Sequence, residues 1–187
     1  AADSAQKNIP EMWSMDFWRE FLDEMARDRY NVLSLWNLHP FPSIVKVPEY
    51  PDVALADVKR TTVRFEDTRR TGVGMVTPAI LAHLETIKKI TINDKIQFWR
   101  SVMQYARDRG IDVYLFTWNT FTYGAEGKYG ITPDQNNTTT VDYFRKSVSE
   151  TILTYPLLAG IGLTTGENNH VKTADCEPEN GHRKTYG

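Results

Sequence analysis

The sequence predicts an α/β fold, and within that class part of a (β/α)8 (TIM) barrel: about three helix-strand units joined by long strand-to-helix loops. A repeat is the first reason. Ala26-Arg27-Asp28-Arg29-Tyr30-Asn31-Val32-Leu33-Ser34-Leu35-Trp36-Asn37 returns as Ala106-Arg107-Asp108-Arg109-Gly110-Ile111-Asp112-Val113-Tyr114-Leu115-Phe116-Thr117-Trp118-Asn119, and a looser copy runs from Leu153 to Asn168. Each copy is the end of a helix, a tight turn, an apolar run long enough for one buried strand, then polar or aromatic residues. Loop asymmetry is the second reason. The helix-to-strand turns at Tyr30-Asn31, Gly110-Ile111 and Tyr155-Pro156 are very short, whereas the loops leaving the strands are long. Barrels of this type keep tight turns on one face and place their chemistry on the elaborated loops of the other. Three units cannot close a barrel of eight strands. Residues 1–187 are therefore expected to form a single segment of a barrel domain, truncated at both ends, rather than a small open sheet.

Each element has a local cause. Ser14 or Asp16 caps a helix running to about Arg29, whose Trp18, Phe21, Leu22 and Met25 form one apolar stripe. Val32 to Trp36 reads as a strand, and Pro40 and Pro42 in the following loop cannot continue ladder pairing. Residues 43–76 read as long, charged and irregular, with a short helical piece over 53–58, and a short helix is expected from Pro78 to about Lys89. Thr91, with Asp94 three residues on, marks a helix start. That helix presents Ile96, Trp99, Met103 and Ala106 to the core and stops at Gly110, a residue suited to the left-handed cap. Asp112 to Thr117 is the second strand and residues 120–139 a second long loop. Thr140 is expected to cap the third helix, with Val141, Phe144, Val148 and Ile152 facing the core. Pro156 ends that helix, and Ala159 to Leu163 forms the third strand, where two glycines point to close approach of a neighbouring backbone.

Bulk properties narrow the function. A net charge of −2 with no basic cluster gives no attraction to nucleic acid or to an anionic membrane surface. No apolar run approaches the length of a transmembrane helix. The opening Ala1-Ala2-Asp3-Ser4-Ala5-Gln6-Lys7 is too polar for a signal core, which leaves the compartment open. One cysteine, Cys176, rules out an internal disulfide and any multi-cysteine metal site. Aromatic residues are plentiful, with five Trp and nine Tyr, enough either for a large core or for flat platforms on which sugar rings stack.

The residues able to do chemistry gather at the strand exits. Glu167 follows the third strand in Thr164-Thr165-Gly166-Glu167-Asn168, where a carboxyl group can act as general acid or base. Trp36-Asn37 and Trp118-Asn119 end the first two strands. Their indoles suit the apolar faces of pyranose rings, and their amides, with that of Asn168, suit hydroxyl groups. His39 is placed to bond a substrate hydroxyl. A metal role for it lacks a second histidine at ligand spacing, so neither a metal nor another cofactor is expected. Thr122, Tyr123 and Glu126 lie in the second loop, with Asp134 as a further carboxylate. No Gly-rich phosphate loop follows a strand, and no Gly-x-Ser-x-Gly elbow is present.

Residues 16–37, from Asp16-Phe17-Trp18-Arg19-Glu20-Phe21-Leu22 through Leu35-Trp36-Asn37, resemble the early helix-strand unit of (β/α)8 glycoside hydrolases of the β-hexosaminidase and α-glucuronidase kind. Leu153 to Asn168 is similar to a later strand of polysaccharide-degrading relatives. The hexosaminidase signature is absent, its strand end replaced here by Thr165-Gly166-Glu167-Asn168. The resemblance implies hydrolysis of a glycosidic bond in a plant or algal polysaccharide, in the periplasm or outside the cell, by two carboxyl groups flanking the scissile bond. Glu167 is the expected first carboxyl. Two other functions use the same residues: a non-catalytic carbohydrate-binding barrel, and a metal-dependent sugar isomerase or lyase with an ion near Glu167 and His39.

Overall fold

The computed structural model describes residues 10–63, 82–118, 121–122 and 124–164. A single 3-10 turn, Pro10–Trp13, leads into α1, Met15–Arg27. Ser14 occupies the cap position in extended conformation but makes no side-chain cap bond. Strand β1 is Val32–Asn37, followed by the one-turn α2, Phe41–Ile44, and a 3-10 turn at Pro51–Val53. Strands β2, Val58–Thr61, and β3, Leu84–Lys88, come next. The long helix α3, Ile92–Arg107, leads to β4, Asp112–Trp118, and α4, Thr138–Thr154, leads to β5, Leu158–Thr164.

Strands β1, β4 and β5 form a parallel sheet in that spatial order, which is also their order along the chain. Val32 pairs with Asp112 and Asn37 with Thr117, while Val113 pairs with Leu158 and Trp118 with Thr164. A register shift between Val113 and Tyr114 absorbs one extra residue on β5. The strands do not close on themselves, so the outer edge of β1 and the outer edge of β5 stay unpaired among the described residues. Strands β2 and β3 make a separate antiparallel ribbon.

The repeated sequence is a repeated cap. After α1, Tyr30 N–H donates to Met25 O at 2.8 Å and Arg29 N–H to Ala26 O at 3.1 Å, with Arg29 in the left-handed region at φ 64°. After α3, Ile111 N–H donates to Ala106 O and Gly110 N–H to Arg107 O, with Gly110 at φ 70°. Both turns satisfy the last helical carbonyls in the same way and turn the chain directly into a strand. At the other end of α3 the expected capping box is complete: Asp94 N–H donates to Thr91 Oγ1 at 3.1 Å, and Thr91 N–H to Asp94 Oδ2 at 3.2 Å.

Alternation along the strands separates two faces. Leu33, Val113 and Leu115 belong to one hydrophobic cluster with Trp18 and Leu22 of α1 and Val102, Met103 and Ala106 of α3. The other face carries Ser34 and Trp36, Tyr114, Phe116 and Trp118, then Gly160, Gly162 and Thr164. The two glycines of β5 are explained there. A Cβ on Gly162 would lie 2.2 Å from Cε1 of Phe116, and one on Gly160 would lie 3.0 Å from Cε1 of Tyr114. Neighbouring aromatic rings occupy that space, not the neighbouring backbone expected from the sequence.

Four local expectations are corrected. The stretch from Pro78 to Lys89 is not a helix where described. Leu84-Glu85-Thr86-Ile87-Lys88 pairs with Val58–Thr61, and its β-branched Thr86 and Ile87 suit a ribbon better than a short helix. The helical piece over 53–58 reduces to the turn Pro51–Val53, and Val58 already opens β2. The third helix begins earlier, capped by Asn137, whose Oδ1 accepts from Thr140 N–H at 2.9 Å. That helix is also rotated about its axis: Phe144 and Val148 pack against the core as expected, but the other two predicted core residues do not. Val141 and Ile152 are 44% and 59% exposed, whereas Thr140, Tyr143, Ser147, Thr151 and Thr154 are buried. The cause lies in the first loop, where Phe41, Ile44, Val45, Val47, Tyr50 and Val53 are buried core residues. This segment packs on α4 through Tyr50 against Tyr143, and Tyr155 Oη donates to Ile44 O. Small hydroxyl residues on α4 let it approach.

Candidate functional site

The parallel register brings the ends of β1, β4 and β5 to one rim. Trp36, from β1, and Trp118, from β4, meet edge-to-face with ring centroids 5.1 Å apart and planes inclined at 69°. Trp118 also packs edge-to-face against Phe121, at 5.1 Å and 66°. Trp36 is 52% exposed. Its Nε1–H donates to Thr164 Oγ1 at 3.2 Å, so the indole reaches from β1 across β4 to the last described residue of β5. The indole N–H of Trp118 is buried and has no hydrogen-bond partner among the described residues. A buried donor in that state costs about 1–3 kcal/mol.

Asn37 is half-buried at the end of β1, where its Oδ1 accepts the backbone N–H of His39 at 3.1 Å. That local bond fixes the amide and turns the chain away from the strand. His39 is only 1% exposed. Its Nε2 lies 3.0 Å from Tyr143 Oη, and its ring contacts those of Phe41, Tyr143 and Phe144. Burial holds the Tyr143 hydroxyl far above the ordinary tyrosine range, so it stays protonated beside the imidazole. The hydroxyl expected from a substrate is thus supplied by Tyr143, and His39 is a core residue beneath the rim rather than part of its surface. Glu167, Asn168 and Asn119 lie outside the described residues, as do Tyr123 and Cys176.

In the second loop, Thr122 is buried and its Oγ1 donates to Glu126 Oε1 at 2.6 Å, which orients that exposed carboxylate. Asp134 serves the loop itself, its Oδ1 accepting from Asn136 N–H at 2.9 Å. A cavity of about 260 Å³ is lined by Trp36, Asn37, Trp13, Trp99, Met103 and Tyr155, with Leu35 and Leu115. Among the described residues there is no group of three or more His, Cys, Asp or Glu able to hold a metal ion, and no helix long and apolar enough to cross a membrane. Sequence reasoning missed Thr164 and Phe121 as partners of the two tryptophans. The signal for Thr164 is its alignment with Trp118, which depends on the extra residue accommodated at the start of β5.

No protein-family model matches this chain, and no curated protein matches it. Among solved structures it is similar to a GH138 enzyme targeting pectin rhamnogalacturonan II. The TM-score is 0.56 and the identity 26%, over 87% of this chain and 16% of that one. The likeness supports a glycoside hydrolase-like fold, at a coarse level. This neighbour is of a different kind from the β-hexosaminidases and α-glucuronidases expected from the sequence, and that finer expectation is not supported. The chain spans only 16% of its length.

Proposed function

We propose that this chain is part of the catalytic domain of a (β/α)8 glycoside hydrolase that cleaves a pectic poly- or oligosaccharide in the periplasm or outside the cell. The observation that carries the reading is the rim made by Trp36, Trp118 and Thr164 on three consecutive parallel strands. The GH138 likeness supports the reaction class, and the pectin target of that enzyme supports the substrate class. The half-exposed Trp36 offers an indole face to a sugar ring, Trp118 buttresses it, and Asn37, Asn119 and Asn168 supply amides for hydroxyl groups. Glu167, three residues beyond Thr164, is the proposed catalytic carboxyl, acting as general acid or base with a second carboxylate across the scissile bond. No cofactor enters this scheme.

Titration of the chain with pectic oligosaccharides, followed by tryptophan fluorescence, tests it. Trp36→Ala weakens binding by about tenfold or more, the loss expected when an indole face no longer covers apolar surface. Glu167→Gln in an active form abolishes hydrolysis and leaves binding intact. Unchanged affinity in both Trp36→Ala and Trp118→Ala overturns the proposal. Binding without hydrolysis of any pectic substrate assigns instead a carbohydrate-binding role.

A further inference from the structure

The hydrogen bond from the exposed Trp36 indole to Thr164 joins the outer strands of the parallel sheet. An exposed tryptophan on an edge strand has two free side-chain torsions, and fixing them during binding costs affinity. Here two contacts fix them beforehand. The edge-to-face packing of Trp118 at 5.1 Å sets the tilt of the ring, and Thr164 Oγ1 at 3.2 Å from Nε1 sets its rotation. Thr164 is suited to this because its β-branched side chain is stiff at χ1. Its position opposite Trp118 in the register also brings it within reach of an indole based on β1.

We infer that Thr164 is a positioning residue, which holds the Trp36 indole in its sugar-stacking orientation. The inference rests on the proposed function for its ligand, although the orientation itself exists without one. Serine keeps the acceptor, whereas valine keeps the shape and removes it. The expected result is that Thr164→Val raises Kd for a pectic oligosaccharide by about three- to tenfold, the range for losing one hydrogen bond. Thr164→Ser restores most of that loss, and thermal stability stays near that of the parent chain. In a Trp36→Phe background, where no N–H exists to be held, Thr164→Val has no further effect. That non-additivity is the signature of the pair, which a merely structural role of Thr164 would not produce.

A second readout keeps the inference separate from the identity of the ligand. The indole N–H resonance of Trp36 in a 15N-labelled chain shifts, and acrylamide quenching of Trp36 rises, in Thr164→Val but not in Thr164→Ser. If no pectic oligosaccharide binds the parent chain yet these two signals behave as stated, the substrate assignment falls and the positioning role stands. If the resonance and the quenching are the same in Thr164→Val and the parent, or if Thr164→Val weakens binding equally in the Trp36→Phe background, the inference is overturned.

Discussion

A methyl group added at Gly162 would enter the space held by the Phe116 ring, and relief requires either that ring or β5 to move. Gly162→Ala is therefore expected to lower stability by about 1–3 kcal/mol, measured by urea denaturation, as overpacking does elsewhere. Arg29 carries strain of the opposite kind. It is exposed, sits at φ 64°, and occupies the slot that Gly110 fills in the second copy of the repeat. Arg29→Gly should raise the melting temperature, worth about 1 kcal/mol from removing the left-handed penalty of a residue with a Cβ. At this scale the sequence was informative where a residue's surroundings are local. The tryptophans ending β1 and β4 were legible from the repeat, and the cap at Gly110 from its residue type. His39 was not, because a histidine two residues past a strand looks like a mouth residue until the next segment folds back over it and Tyr143 closes on the ring.

Helix α3 is the element best determined by its own residues. Thr91→Ala removes the two bonds of the capping hydroxyl and should cost about 1 kcal/mol. Its partner Asp94 has a carboxyl held below the ordinary 3.8, first by the Thr91 hydroxyl and then by the Thr91 backbone N–H. A carboxylate with a lowered folded pKa binds its proton less readily when folded than when unfolded. Its stabilising contribution is present above the ordinary carboxylate range and is lost as pH falls through that value and below. Asp23 is lowered in the same sense by Arg109, and Asp142 by the Tyr50 hydroxyl. Melting curves taken between pH 6 and 2 should fall on the acid side, and Asp94→Asn should flatten that fall. By contrast α4 was legible only in part, with Phe144 and Val148 packed on the core as expected. Its apolar residues Val141 and Ile152 follow a helical spacing, but spacing alone does not say which face a distant loop will cover. The first loop covers the hydroxyl-bearing face and leaves those two exposed. Strand β3 was missed for a related reason, since a four-residue partner 26 positions upstream decides its state.

At the scale of the molecule, the parallel sheet followed from the short returns between helix and strand, which force successive strands to run the same way. The three helix-strand units follow one another in the sheet, β1-β4-β5, in the order in which they occur along the chain, with the β2–β3 ribbon set apart. The antiparallel ribbon was not, because no short hairpin turn announces it. The rim that joins Trp36 to Thr164 needs this topology, and neither residue alone reveals it. The outermost strands have a further consequence. Val32 on β1 and Leu163 on β5 are 49% and 56% exposed beside backbone amides and carbonyls that no described residue engages. Such borders template pairing with another polypeptide. Isolated chains should therefore adhere to one another side by side as protein concentration rises, seen as a growing weight-average mass in sedimentation equilibrium. Lysine introduced at Val32 or Leu163 should keep them apart.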